Sequence, residues 1–199
     1  MTPTEEMHRQ ILGCSGAKED HDWVLVTDGS GTDVNRIGTG SAWLLRSMAL
    51  QRDEGEVEMK GVAGATFGSV QRAEQMALLE GLRAISVLMK LNTLKEVEKF
   101  TGITPLKRIE DVPPQRRPKV WWIGDRENLI LQVARKPSGD TYYERRTEPD
   151  LWYALYWYER LFNITSVYQP RNSTPDQVDV DARAGQTRRF FLPATCKDA

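Results

Sequence analysis

Four places in the 199-residue sequence hold a carboxylate where it could do chemistry. Asp28 ends an apolar, β-branched run, Trp23 to Thr27, and is followed at once by Gly29-Ser-Gly31. Glu74 stands four residues before Leu78 in a long helical pattern, which sets it on the inward stripe and not on the solvent face. Asp125 follows the apolar run Lys119-Val-Trp-Trp-Ile123, with only Gly124 between. Asp179 and Asp181 fall in the first two turns of a last helix. Each has an ordinary explanation alone, as a turn residue, a helix cap or an acidic first turn favoured by the macrodipole. As a group they point further. Carboxylates sharing one site repel, and would not all stay ionised without a cation. Their hard oxygens suit magnesium or manganese. Two such ions about 4 Å apart can activate a water and stabilise the leaving oxygen in phosphodiester hydrolysis.

For the acids to meet, strand ends and helix N-termini must converge at one edge of a sheet. The pattern supplies such elements. Trp23 to Asp28 reads as a first strand, Gly29 to Gly38 as a glycine-rich turn, Gly40 to Arg46 as a second strand and Glu56 to Ala65 as a third, antiparallel one. Ser69 caps a helix over Val70 to Leu91, with Leu78, Leu82, Ile85 and Met89 as its stripe. Residues 92–119 carry a short helix, Leu94 to Phe100, and then four prolines, and read as an inserted loop or subdomain edge. Lys119 to Ile123 is a continuous apolar strand, central in the sheet, followed by a short helix over Glu127 to Ala134. Thr147-Glu-Pro-Asp150 opens a further helix, capped by Thr147, with Leu151, Leu155, Tyr158 and Phe162 as its buried face. Ile164 to Tyr168 is a fifth strand, and Thr174-Pro-Asp-Gln177 is a capping box for the last helix. The expected fold is α/β: a mixed five-stranded sheet, its first three strands antiparallel, flanked by helices. Residues 1–21 read as an N-terminal extension, 22–186 as the domain and 187–199 as a C-terminal tail.

Composition narrows the chemistry. Apolar content of 40% and charged content of 28% describe a globular chain with a real core. No 18-residue uncharged apolar stretch exists, so no membrane span is expected, and the first residues lack the pattern of a signal peptide. Cys14 and Cys196 lie near the two ends and read as reduced thiols of an intracellular, cytoplasmic protein, with a terminal disulfide as the alternative. A net charge of −1 excludes a wholesale polyanion binder, so any nucleic-acid surface is local. The two histidines, His8 and His21, fall in the extension, which argues against histidine-based nucleophilic catalysis, and no Cys/His cluster suggests zinc. The Gly29-Ser-Gly31 turn lacks the lysine and spacing of a phosphate-binding P-loop.

An ordered set of motifs resembles the type 1 ribonuclease H family over residues 22–186. Thr27-Asp-Gly-Ser30 resembles its first-strand TDGS, and Gly38-Thr-Gly-Ser-Ala42 its second strand. The stretch from Ser69 to Leu82 resembles its N-x-x-x-E-L-x-A-L-x-x-A-L helix. Ile123-Gly-Asp-Arg-Glu-Asn-Leu129 resembles its strand-end T-D-S, and Pro149-Asp-Leu-Trp-Tyr-Ala-Leu155 its D-L-W helix start. The resemblance implies a ribonuclease H-like fold and a two-metal endonuclease, using Mg2+ or Mn2+, that cuts the RNA strand of RNA:DNA hybrids. By position it implies Asp28, Glu74 and Asp125 as metal-binding carboxylates. The fourth is Asp181 or Asp179; spacing from Trp152 and from Pro175 favours Asp181. Gly29, Ser30, Gln71, Arg126 and Arg171 are candidates for contact with phosphates or 2′-hydroxyls. Three departures stand out. Gln169-Pro-Arg-Asn172 replaces a loop that often carries a histidine, the minor-groove polar pair is reduced to Val70-Gln71, and Arg126-Glu127 follows Asp125. The chain is expected to act as a monomer on an RNA:DNA hybrid or other nucleic acid. The alternatives are a DNA nuclease or resolvase of the same superfamily and a catalytically inactive binding module.

Overall fold

Strand β1, Trp23–Ser30, sits in the middle of the sheet, and the rest of the chain is layered on its two faces. A computed structural model of the protein describes residues 23–47, 56–134 and 148–196. The strands are β1, β2 (Ile37–Ser47), β3 (Glu56–Phe67), β4 (Lys119–Gly124) and β5 (Asn163–Tyr168), in the spatial order β3-β2-β1-β4-β5. The first three are antiparallel neighbours, while β4 runs parallel to both β1 and β5. The helices are α1 (Val70–Leu88), α2 (Leu94–Thr101), α3 (Glu127–Ala134), α4 (Pro149–Leu161) and α5 (Pro175–Phe191). Among the described residues no helix is long and apolar enough to cross a membrane. The expected five-stranded mixed α/β architecture is therefore the observed one.

Alternation along β1 makes the two cores. Trp23 and Leu25 face one side, where Trp43, Leu45, Val120 and Trp122 meet the α1 stripe of Leu78, Leu82 and Ile85 and the Leu151, Trp152 and Leu155 face of α4. Val24 and Val26 face the other side and pack with Ala42, Leu44 and Ile123 against Val180 and Ala184 of α5. Both faces of β1 are dry, which is why its sequence is a continuous apolar run. Trp122 buries its indole fully, and its Nε1 donates to Thr27 Oγ1 at 2.8 Å, so the polar edge of the ring is satisfied beside the strand end.

Several element ends differ from the sequence reading. Helix α1 stops at Leu88, three residues early. Lys90 turns into the left-handed region (φ 55°), its N–H reaches Val87 O, and the Leu91 N–H reaches Ser86 O. This is a Schellman closure, and it tucks Leu91 into the core as a buried side chain outside the helix. Residues 92–119 are no loose insertion. Thr93 caps α2, Gly102 ends it at φ 72°, and Val97, Leu106, Ile109 and Val112 are buried in the main core. The N-cap of α4 is Glu148, in the left-handed region; Thr147, the expected cap, lies outside the described residues. Glu148 accepts from Ser69 Oγ and Arg72, and Arg72 also forks onto Asp150, bracing the N-termini of α1 and α4 together.

Helix α5 begins as its capping box requires, with Thr174 Oγ1 accepting from the Gln177 N–H. It runs past residue 187, the expected start of the tail, and continues to Phe191. Tertiary contacts explain the extra turns. Gly40 on β2 lets α5 approach so closely that a Cβ there would stand 2.0 Å from Ala184 O. Arg188 Nε donates to Gly38 O, and the Phe191 ring covers Gly64. Arg188 and Phe191 thus fasten the last turns of α5 to the β2–β3 pair.

Candidate metal centre

Parity along the strands aims two acids the same way. Asp28 on β1 and Asp125, just past β4, follow Val26 and Ile123 by two residues, so both project toward the α5 face. Glu74 arrives from the opposite face, on α1. What allows it to reach is Gly29. A Cβ on that residue would lie 2.5 Å from the Glu74 backbone nitrogen, so only glycine lets β1 press against the helix there. Ser41 Oγ donates to Ala73 O at 2.7 Å and pins the same turn of α1 to β2. The result is a triad in which one carboxylate oxygen from each of Asp28, Glu74 and Asp125 lies within 4.8 Å of the others.

Asp28 and Glu74 are buried, and Asp125 is partly so. Burial, the Asp125 charge and a hydrogen bond to Asp181 push the Asp28 carboxyl up to about 8, against the relief of the Gly29 N–H at 2.9 Å. Burial, then the charges of Asp28 and Asp125, hold Glu74 well above the ordinary carboxylate range, with Arg126 opposing. Burial raises Asp125 too, against Arg171 and Arg126. Burial and mutual repulsion therefore disfavour ionising all three carboxylates together. Clustered hard oxygens with an electrostatic deficit are a donor set that fits a divalent cation.

The two candidates for a fourth acid separate in space. Asp181 lines a concavity with Asp28, Asp125, Arg171 and Asn172. Its Oδ1 accepts from Arg171 Nη2 at 2.6 Å. Asp179, two residues earlier and so turned by about 200° on the helix, pairs with Arg183 at 3.0 Å and Lys60 at 3.3 Å on the other side. It does not join the cluster. Gly29 and Ser30 extend β1 past Asp28, in place of the expected turn. Gln71 Nε2 donates to Gln132 Oε1 at 3.3 Å, linking α1 to α3. Arg126 is close enough to Glu74 to lower its proton affinity, and its Nε is buried without a hydrogen-bond partner among the described residues. Asn172 and Gln177 also line the concavity; the sequence marked Asn172 only as part of the loop in place of the histidine-bearing one, and Gln177 only as part of a capping box. Asn172 has a positive φ of 59°, a conformation asparagine adopts more readily than most residues, so its residue type after Pro170-Arg171 was the signal in the sequence.

Comparison with solved structures decides the fold. The N-terminal RNase H domain of rv2228c from Mycobacterium tuberculosis superposes with a TM-score of 0.55 at 15% identity, covering 85% of this chain and 95% of that one. LC11-RNase H1, isolated from compost by a metagenomic approach, gives 0.55 at 15% identity over 85% and 97%. The chain has a ribonuclease H-like fold. The same LC11 protein solved in complex with an RNA/DNA hybrid gives 0.51 at 14% identity over 85% and 98%. No protein-family model matches this chain, and no curated protein matches it in sequence. At such identity the ribonuclease H-like likeness speaks for architecture, and the chemistry rests on the acids themselves.

Proposed function

We propose that the protein is a metal-dependent endonuclease that hydrolyses the RNA strand of RNA:DNA hybrids. The observation that carries this reading is the largely buried triad of Asp28, Glu74 and the half-buried Asp125 on a ribonuclease H-like sheet. A relative in fold binds an RNA/DNA hybrid, which supports the substrate class. Asp28, Glu74, Asp125 and Asp181 would hold two Mg2+ or Mn2+ ions. Bound there, the ions supply activation of the attacking water and charge stabilisation at the leaving oxygen.

The protein's own residues do the rest. In the triad, the ionised form of the carboxylates would be favoured by a bound divalent cation, so cation binding would strengthen as pH rises. Glu74, on α1 against the strand end, is buried and so shielded from solvent. Arg171 spans from the loop before α5 to Asp181 and stands where a phosphate approaching Asp28 and Asp125 would meet a guanidinium. Arg126 offers a second cation beside the acids. Gly29, Ser30 and Gln71 border the strand end and the first turn of α1, and serve as contacts to the strand being cut.

The test is cleavage of a uniformly labelled RNA:DNA hybrid in Mg2+ or Mn2+, beside Asp28→Asn and a duplex-DNA control. Metal-dependent RNA cutting that disappears in the variant is the expected result. Cutting of DNA alone would move the assignment to a DNA nuclease of the same fold. Binding without cutting on any substrate would make the protein an inactive binding module.

A further inference from the structure

The acid centre repels the phosphates it would act on, and the chain as a whole is slightly acidic. One region runs against that trend. Residues 90–119 carry eight basic and four acidic side chains, a local excess of four positive charges on a chain of net charge −1. The four acids are engaged within the fold. Glu98 accepts the Leu106 N–H at 2.6 Å, Glu110 meets Tyr156 and Arg160, Asp111 pairs with Arg108, and Glu96 accepts from Thr93. The lysines are not. Lys95, Lys99 and Lys107 are exposed and have no ion-pair partner among the described residues.

These cations are gathered around one helix. Lys95 and Lys99 stand one turn apart on α2. The Glu98–Leu106 bond brings Lys107 alongside. Arg116, exposed, donates to Thr101 O at the helix C-terminus. Lys90 and Lys99 share a groove of about 580 Å³ with Met89, Glu96 and Phe100. Lys119 starts β4 and Asp125 follows its end, so this surface lies at the other end of the sheet, roughly 20 Å from the acids.

We infer that residues 90–119 form a second, non-catalytic contact surface for the phosphate backbone of nucleic acid, an inference that rests on the nuclease reading above. Exposed lysine ammoniums are mobile point charges, suited to phosphate contact without base readout. Their separation from the acids corresponds to about six base pairs at 3.4 Å each. The surface supplies the attraction that the acid centre cannot, and it does so without entering the chemistry.

The experiment is a salt series of binding to a 30-base-pair RNA:DNA hybrid in EDTA, followed by fluorescence anisotropy, for the full chain and for Lys95→Gln/Lys99→Gln/Lys107→Gln. The variant should bind about tenfold more weakly at low salt, and the slope of log K against log salt should fall by about 2–3, one per lost phosphate contact. Its turnover on a short hybrid at saturation should be unchanged. Equal affinity and slope for the two proteins would overturn the inference. So would loss of poly-glutamate binding with duplex binding intact, which would make the surface a dock for an acidic protein. Failure of the nuclease reading shows separately, as absence of cutting by the unaltered chain, while the change in salt slope would still be read.

Discussion

Asp28→Asn makes a prediction about stability whose sign is unusual for a buried substitution. The Asp28 carboxyl is raised from 3.8 to about 8 in the fold. A raised carboxyl costs nothing at pH values below its unfolded pKa. The cost begins near pH 4, grows as the unfolded chain ionises and the fold does not, and saturates above about pH 8. Stability of the metal-free protein is therefore lost as pH rises through this window. About three pKa units of that loss accrue between pH 5 and pH 9, a ceiling of about 4 kcal/mol at 1.36 kcal/mol per unit. Because the proton is shared with Glu74 and Asp125, we expect about half, ~2 kcal/mol, or roughly 4–8 °C in Tm for a chain of this size. Asparagine removes the charge and with it this cost. In EDTA, Asp28→Asn should thus gain on the unaltered protein by that amount on going from pH 5 to pH 9. Excess Mg2+ should reverse the order at pH 9, since a ligand at 100 times its Kd stabilises by about 2.7 kcal/mol and the variant has lost a ligand. Thermal unfolding followed by circular dichroism reads all four conditions. A variant destabilised equally at both pH values, with no response to metal in either protein, would refute the picture of a repulsive acid cluster awaiting a cation.

Three further outcomes follow from particular contacts. Gly29→Ala should cost about 1–3 kcal/mol in urea unfolding through overpacking against Glu74, and should weaken metal-induced stabilisation by moving Asp28 away from Glu74. Asp181→Asn should lower hybrid cleavage at least 100-fold, whereas Asp179→Asn should stay within a few-fold of the unaltered rate, as measured by initial rates in Mg2+. Asp176→Ala should destabilise by about 2 kcal/mol, because it removes the two 2.8 Å charge-assisted bonds through which the Arg46 guanidinium forks onto the buried Asp176 carboxylate; a change under 0.5 kcal/mol in urea would contradict this.

Much of the site was legible because its acids stand at punctuation marks. Asp28 and Asp125 each close an apolar strand run, and Glu74 shares a stripe with Leu78, so periodicity puts each where it could meet the others, and the ribonuclease H resemblance names the three as a set. Asp179 and Asp181 resisted the same treatment. Both suit an early helical turn, and what separates them is the company of Lys60 and Arg183 on one side and of Arg171 on the other. Those partners come from distant parts of the chain and leave no local trace. Leu91 misled for a related reason: its apolar character prolongs the α1 pattern, but it is buried through a reversal at Lys90. Proline-broken residues 92–119 carry no period long enough to reveal that Leu106, Ile109 and Val112 reach the core. The extent of α5 was hidden at Gly185, which weakens a helix in isolation, while the contacts of Arg188 and Phe191 with β2 and β3 sustain it.

The bond from Trp122 to Thr27 has an optical consequence. An indole's emission colour shifts with the electric field across its ring, and this ring is fully buried, fixed by its N–H and held one residue from Asp28. Charge arriving at or leaving the acid cluster changes that field while the ring stays still. The protein thus carries a native fluorophore beside its own site, and titrating Mg2+ while recording tryptophan emission, with Trp122→Phe as the reference, would follow cation loading without a label.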